Sequence, residues 1–258
     1  MSLATVTTIK APLQETLDFV QYHLYFGVDY MYLFFDDPDD SAISFLNDER
    51  ILCTRCDKEH WSKLGISANA SVQERQKANA TYAFRLAGKS GIQWLAHIDS
   101  DEFLYSKKSL TTFFSELSDD INLVLFPLME AAPQQIDYQY PLSEISLFKY
   151  HINSSLNKEL FKFKKTEALK YSTKRISWKL RKKLATALGA NHCEITGSWL
   201  IGHMNSKTAI KTTVEVKSIG NHMPVTDDKY SLSMAVSSEN SLLHYDGQGY
   251  TQCKEKRC

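Results

Sequence analysis

The chain has 258 residues, of which 43% are hydrophobic and 23% charged. That composition excludes a disordered chain, a collagen-like repeat and a small disulfide-stapled protein, and leaves one large α/β domain or two small domains. Thirty basic residues balance thirty acidic ones, so the whole chain lacks a net charge that would attract nucleic acid or anionic lipid. The balance hides an asymmetry, because residues 1–130 carry a net charge of −8 and residues 131–258 one of +8.

The sequence shows neither a membrane span nor a secretion signal. It contains no apolar run of about 18 or more residues, and its opening MSLATVTT lacks the basic start and apolar core of a signal peptide. An odd number of cysteines at low density predicts reduced thiols rather than disulfides or a zinc site. These cysteines are Cys53, Cys56, Cys193, Cys253 and Cys258. We therefore expect a cytoplasmic protein.

The first half of the chain alternates between strand-like and helix-like segments. Short runs of β-branched and aromatic residues predict strands over residues 4–9, 29–35, 50–54, 92–98 and 122–128. Helical spacing of apolar residues predicts a helix from Pro12 to Gly27 and others over residues 71–87 and 111–117. This order predicts an α/β fold with a mostly parallel sheet, which binds ligands at the carboxyl ends of its strands.

The second half is less regular. Residues 131–195 show little periodicity, and residues 158–183 hold eleven Lys or Arg and only two acidic residues. Neither an internal repeat nor a low-complexity linker divides the chain. We therefore predict a single domain with a ligand-binding half, residues 1–105, and a variable half, residues 106–258.

Two acidic clusters follow predicted strands. Four aspartates flank Pro38 after the second strand, and Asp99 and Asp101 end the apolar strand 92–98. Two carboxylates separated by one residue can turn toward one point, where they suit a hard cation such as Mg²⁺ or Mn²⁺. Since Mg²⁺ keeps few protein ligands and binds substrate oxygens, the motif favours a diphosphate-bearing substrate.

The segments 21–40, 73–79 and 94–104 resemble bacterial family 2-like glycosyltransferases related to family 92. The last of these, WLAHIDSDEFL, is similar to that family's Trp-x3-Ile-Asp-x-Asp-Glu-Phe-Leu signature. The resemblance covers residues 5–105 well and the tail loosely. It implies a GT-A (Rossmann-like) fold that binds a nucleoside-diphosphate sugar, of UDP type, with Mn²⁺ or Mg²⁺.

The resemblance also implies roles for single residues. Asp101 would coordinate the metal, Asp99 would lie near the ribose or the metal, and Asp36 would accept hydrogen bonds from the nucleobase or ribose. GT-A enzymes commonly return a late histidine to the metal, and for this role His222 is the first candidate and His244 the second; for each, a structural role is an open alternative. Further candidates for donor binding are Lys10, Arg75, Lys77 and Lys207. For Arg75 and Lys77, a solvated helix face is an equally open alternative.

These inferences predict a metal-dependent glycosyltransferase that acts on a glycan or lipid-linked acceptor in cell-surface polysaccharide synthesis. Transfer usually requires a carboxylate that accepts the proton of the acceptor hydroxyl. Glu130, at the end of the strand 122–128, is the candidate base, with a loop acid of no catalytic role as the alternative. The family resemblance implies inversion and a hexosyl donor.

Two other classes of function stay open. The basic segment 158–183 interleaves aromatic residues and would suit a peripheral contact with the inner face of a membrane, or simply a solvated helix. A nucleic-acid-binding module would leave the acidic first half unexplained, so no nucleic-acid partner is expected. A nucleotidyltransferase would ordinarily need a glycine-rich or basic phosphate loop after the first strand, where the chain has Lys10-Ala11-Pro12.

Overall fold

The computed structural model describes residues 1–132, 134–135, 137–150, 206–227, 232–236 and 239–245. The helices of this part are α1 (Leu13–Tyr25), α2 (Lys58–Leu64), α3 (Val72–Lys89), α4 (Leu110–Ser115) and α5 (Pro141–Glu144), with a 3-10 turn at Ser41–Ser44. The strands are β1 (Leu3–Ile9), β2 (Tyr30–Phe35), β3 (Ile51–Arg55), β4 (Trp94–His97), β5 (Glu102–Ser106), β6 (Leu123–Phe126), β7 (Leu128–Ala131), β8 (Phe148–Tyr150), β9 (Lys207–Lys211), β10 (Ser218–Ile219), β11 (Pro224–Val225), β12 (Met234–Val236) and β13 (Asn240–His244).

A seven-stranded central sheet has the order β12-β6-β9-β4-β1-β2-β3. Four neighbouring pairs are parallel: β1 with β2, β1 with β4, β2 with β3, and β6 with β12. Strand β9 is antiparallel to both of its neighbours, β4 and β6. The predicted α/β class with a mostly parallel sheet is therefore confirmed.

The chain divides into two compact units. The first comprises residues 1–128 and the described residues between 206 and 244, and it contains the central sheet and the antiparallel pair β5–β13. The second comprises the described residues from 129 to 150 and Tyr245, and it contains the antiparallel pairing of β7 with β8. The sequence-based division into halves at residues 105 and 106 stays a prediction.

The core of the first unit lies where the sheet meets α3. Alanines recur on one stripe of this helix at the spacing of three to four residues that keeps them on one face. Because their side chains are small, the helix packs close to β1 and β4. The fully buried members of the stripe are Ala80, Ala83 and Ala87.

Among the elements that differ from the sequence prediction are α2, β7 and β9. Helix α2 was not predicted because it has only seven residues, yet it has both an Asp57 side-chain cap and a left-handed Gly65 at its end. The predicted strand 122–128 is divided into β6 and β7, because Pro127 has no N–H for a sheet hydrogen bond. Strand β9 also escaped prediction, since lysines at both of its ends, Lys207 and Lys211, are typical of an exposed loop.

The amino end of α3 carries a complete capping box. The backbone N–H of Glu74 donates to Ser71 Oγ, and the Glu74 carboxylate accepts from the backbone N–H of Ser71. We expect Ser71→Ala to lower the free energy of unfolding by about 1 kcal/mol. Chemical denaturation measures this loss, and Gln73→Ala, an exposed substitution in the same turn, is the control; equal stability of the two variants would contradict the capping role.

Several sequence-based expectations fall outside the described residues. These are the basic segment 158–183, the glycine-histidine segment 202–205 and the cysteines Cys193, Cys253 and Cys258. Within the described part, Cys53 and Cys56 are free thiols, and burial raises the pKa of the Cys56 thiol to about 12. None of the helices that the structure describes is long and apolar enough to cross a membrane.

Candidate active site

The two predicted acidic clusters meet at one edge of the central sheet. Asp36 directly follows β2, and its backbone N–H donates to Ile9 O at the end of β1. Asp99 follows β4 after one residue, and Ile98 N–H donates to Val6 O. These bonds continue the parallel pairing, so the two aspartates lie at the carboxyl ends of β2 and β4, the strands on either side of β1, where α/β sheets bind ligands.

Donors from distant parts of the chain hold the Asp99 carboxylate. Gln76 Nε2, on α3, donates to Oδ1 at 2.9 Å, and Lys207 Nζ, on β9, donates to Oδ2 at 2.7 Å. The backbone N–H of Asp99 donates to Glu102 Oε2 at 2.8 Å, which closes the turn after β4. Both oxygens of Asp99 therefore face protein donors.

Lys207 is a buried cation between two carboxylates. Its side chain is 1% exposed, and Nζ lies 3.2 Å from Glu102 Oε2 as well as against Asp99. Burial alone would lower the pKa of Lys207, but the charges of Glu102 and Asp99 outweigh burial, so the pKa is raised. The ammonium is thus charged and neutralises part of the negative charge of the motif.

Asp101 faces His244, the last residue of β13. Antiparallel pairing places His244 opposite Glu102, and His244 Nε2 lies 3.8 Å from Asp101 Oδ1. The side chain of Asp101 is 30% exposed, so ligand can reach it, whereas that of His244 is 5% exposed. The structure therefore brings together two of the residues that the sequence assigns to a metal.

The Asp101 and His244 pair fits a divalent cation of limited protein ligation. A carboxylate oxygen and an imidazole nitrogen suit Mn²⁺ or Mg²⁺, which completes its shell with water and phosphate oxygens. Within the described ranges, no three His, Cys, Asp or Glu side chains are arranged so that they could hold a metal by themselves. One carboxylate and one imidazole leave most of the coordination shell of such an ion to water and substrate oxygens.

Asp36 forms an ion pair with Arg75 of α3. Arg75 Nη2 lies 3.0 Å from Asp36 Oδ2, and the guanidinium lies over the ring of Trp61. Asp36 Oδ1 and Arg75 Nε are buried and have no hydrogen-bond partner among the described residues. Since an unpaired buried polar atom costs free energy, this acceptor and this donor are suited to a bound ligand.

The turn between β10 and β11 adds polar groups to the same region. His97 Nδ1 donates to Gly220 O at 3.1 Å, and Asn221 Nδ2 donates to Gln76 Oε1 at 3.0 Å. Thr208 Oγ1 donates to the backbone carbonyl of His222. Burial lowers the pKa of His97 to about 4, so this histidine is neutral and acts as a structural donor.

Comparisons with known proteins show two plant relatives. No protein-family model matches the chain. It is 25% identical over 185 residues to "Glycosyltransferase-like At3g57200" of Arabidopsis thaliana, covering 62% of this chain and 35% of the relative. It is 24% identical over 173 residues to "Glycosyltransferase-like At2g41451" of the same plant, covering 57% of this chain and 38% of the relative. The chain thus spans little more than a third of the length of these relatives.

Two solved structures show a weaker likeness. Core-mannan synthase A from Aspergillus fumigatus, in a form with Mn and GDP, has a TM-score of 0.35 at 9% identity, with 56% of this chain and 46% of that chain covered. The mannosyltransferase Ktr4p from S. cerevisiae has a TM-score of 0.28 at 11% identity, with 52% and 41% covered. Likenesses of this size carry no conclusion about activity.

The other predicted site residues have different surroundings. Lys10 is exposed directly after β1, and Lys77 is exposed on another face of α3 from Arg75. Lys207, a candidate phosphate ligand by sequence, instead uses its ammonium inside the protein. Glu130 lies in the second unit, fully buried, with its carboxylate 3.4 Å from Lys149 Nζ. Their assigned roles stay predictions.

Sequence reasoning missed Gln76 and Asn221. Gln76 and Asn79 continue the buried alanine stripe of α3 toward its amino end, and a polar residue on an apolar stripe is a signal that could have found them. Asn79 is fully buried and bonds His60 and Thr8, so it has a structural role. No pattern in the sequence marks Asn221, because its partner lies 145 residues away.

Proposed function

We propose that the chain is a glycosyltransferase domain that uses a nucleoside-diphosphate sugar and a divalent metal ion. The observation that carries the proposal is the approach of His244 to Asp101 at the carboxyl edge of a mostly parallel sheet. The similarity to two glycosyltransferase-like proteins of Arabidopsis supports the same class of activity. In the sequence, Asp99 and Asp101 belong to the WLAHIDSDEFL signature.

Each part of the site has a role in this reaction. Asp101 and His244 would hold the metal ion, which supplies positive charge to the departing nucleoside diphosphate. Asp36 Oδ1 would accept a hydrogen bond from the nucleobase or ribose, since it is buried without a partner among the described residues. Lys207, Gln76 and Glu102 fix Asp99 and the turn that carries Asp101.

The finer features follow the sequence resemblance and are part of the proposal. They are a UDP-type hexosyl donor, a glycan or lipid-linked acceptor, and inversion with Glu130 as the base. Nuclear magnetic resonance of the first-formed product reads the anomeric configuration directly, and a retained configuration would contradict inversion.

Binding of donor nucleotide is the direct test. With Mn²⁺ and a nucleoside diphosphate at about 100 times its Kd, mass action should stabilise the wild-type protein by roughly 2.7 kcal/mol. That corresponds to a rise in Tm of several degrees for a chain of this size. UDP, GDP and CMP are compared with and without Mn²⁺, so the responding nucleotide identifies the donor base.

Asp101→Asn should abolish the metal-dependent rise in Tm and lower the transfer rate roughly 100-fold or more. Asp119→Asn, an exposed substitution that removes the same charge, is the control and should respond as the wild type does. Retention of the rise in Asp101→Asn would remove the proposed metal site. Release of pyrophosphate instead of a nucleoside diphosphate would identify a nucleotidyltransferase.

A further inference from the structure

A basic groove lies beside α3, on a face that the candidate active site does not use. It has a volume of about 880 Å³ and is bordered by α2, the loop after it and α3. We call it the α2–α3 groove. Its charged lining residues are Lys63, Glu74, Lys77, Arg85 and Lys89, and apolar side chains including Leu64, Ile66 and Leu86 form part of its surface.

The cations of the groove form a row. Lys77, Arg85 and Lys89 recur at multiples of four residues, with Thr81 completing the series, so they lie along one stripe of the helix. The row is about 18 Å long at the rise of an α-helix. Arg85 and Lys89 are one turn apart, and like charges at this spacing destabilise a helix.

Within the described residues, the charge of this row is not neutralised. None of the four cations forms an ion pair within the part of the chain that the structure describes. Among the described lining residues Glu74 is the one acid, and its carboxylate accepts hydrogen bonds from Ser71 N and Oγ at the end of its own helix. Lys63 donates to Tyr82 Oη and keeps its charge.

We propose that the α2–α3 groove binds an anionic carbohydrate whose carboxylate or phosphate groups pair with the cations of α3. This inference rests on the proposed function, because a glycosyltransferase needs a second site that holds a glycan. The volume is that of an ordinary ligand site. Spaced anions along a chain of sugars match a row of cations about 18 Å long.

The surface favours this ligand over nucleic acid or a membrane. Tyr82 is the one aromatic residue among the lining residues that the structure describes, and its ring contacts Lys63 and Phe34, which leaves little face for a base to stack on. The apolar side chains of the lining are half-buried in a concave surface, whereas membrane contact needs apolar side chains that project.

The groove and the candidate active site share α3. Gln76 contacts Asp99 from one face of the helix, and Lys77, the next residue, lines the groove. The row therefore begins beside the donor site and extends along the helix toward Lys89. A glycan held there would be a substrate or a growing product of the same enzyme.

Binding of defined hexasaccharides tests the proposal without donor nucleotide. The probes are a galacturonic acid hexasaccharide, a phosphorylated maltohexaose and neutral maltohexaose, measured by calorimetry at low and moderate salt. The wild-type protein should bind at least one anionic probe, more weakly at higher salt, and should not bind the neutral probe. The two anionic probes distinguish carboxylate from phosphate as the recognised group.

The double variant Arg85→Gln/Lys89→Gln should weaken anionic binding about tenfold, because two ion pairs are lost. Its matched control is Lys58→Gln/Lys107→Gln, which removes two exposed cations outside the groove and should bind as the wild type does. The rise in Tm with Mn²⁺ and nucleotide should be unchanged in both variants. A failure of the groove proposal can therefore be told apart from a failure of the proposed donor site. Equal binding of the neutral probe, equal loss in the control, or tighter binding of single-stranded DNA or anionic vesicles would overturn the proposal.

Discussion

Lys207→Met should lower the free energy of unfolding by roughly 3–5 kcal/mol, the largest effect expected of any single substitution considered. The ammonium is 1% exposed and lies within 3.2 Å of both Asp99 and Glu102. Its removal deprives two neighbouring carboxylates, one of them fully buried, of this cation. Urea denaturation of wild type and variant at pH 7 measures the loss.

The pH dependence of this variant separates charge from packing. Without the cation, a carboxyl of the cluster should bind a proton more readily in the folded state than in the unfolded state. A raised folded-state pKa stabilises the folded protein at low pH, and this stabilisation is lost as the pH rises. The difference in free energy of unfolding between the wild type and Lys207→Met should therefore shrink as the pH falls. A deficit that is the same at every pH would indicate lost packing alone.

An exposed ion pair supplies the control for Lys207. Lys217 pairs with Asp227, and both side chains are more than half exposed, at 61% and 56%. Solvent screens such a pair, so Lys217→Met should change stability by no more than about 1 kcal/mol. Similar losses in the two lysine variants would mean that burial of Lys207 has no special energetic role.

His23→Gln should flatten the acid dependence of stability. His23 Nδ1 donates to Phe19 O, and Nε2 accepts from Leu104 N–H in β5, directly after the acidic motif. Burial lowers the pKa of His23 from 6.5 to about 4. The unfolded state therefore binds more protons between these values, and the wild-type protein should lose up to about 3 kcal/mol through this group as the pH falls from 6.5 to 4.

The glutamine variant keeps one donor and one acceptor but cannot take up this proton. At pH 7 it should be less stable by about 1–3 kcal/mol, because the two hydrogen bonds of the ring are not fully reproduced. Between pH 6.5 and 4 its stability should fall less steeply than that of the wild type, with His97 still contributing. If the free energy of unfolding fell equally steeply with pH in the two proteins, the acid dependence could not be assigned to His23.

The strands and helices of residues 1–100 were largely predictable because local signals agree with the fold. Strands β1, β2 and β4 are short runs of β-branched, aromatic and apolar residues, and they are buried in the sheet. Helix α3 begins after a serine with glutamate three residues later, which is the sequence pattern of its capping box. These elements are therefore predictable from local sequence alone.

The environment of the site was less predictable because it depends on distant pairs. Asp99 and Asp101 were found by spacing, and His244 by resemblance, but the ion pair of Asp99 joins residues 108 positions apart. A lysine at the start of a strand is usually solvated, and nothing in its neighbours indicates burial. The role of Lys207 emerges only when β9 is placed between β4 and β6.

The position of β9 also orders the events of folding. In the described sheet, Ala209 pairs with Ala96 on one side and Val124 on the other, so β4 and β6 are joined through a strand made about eighty residues after β6. During synthesis the strands β1 to β4 can assemble early, while one edge of β4 stays open until that strand emerges. Open strand edges template intermolecular pairing, and late, long-range contacts slow folding. The same strand that delivers Lys207 to Asp99 is thus the one that joins β4 to β6, so the ion pair of Asp99 and the middle of the sheet form together.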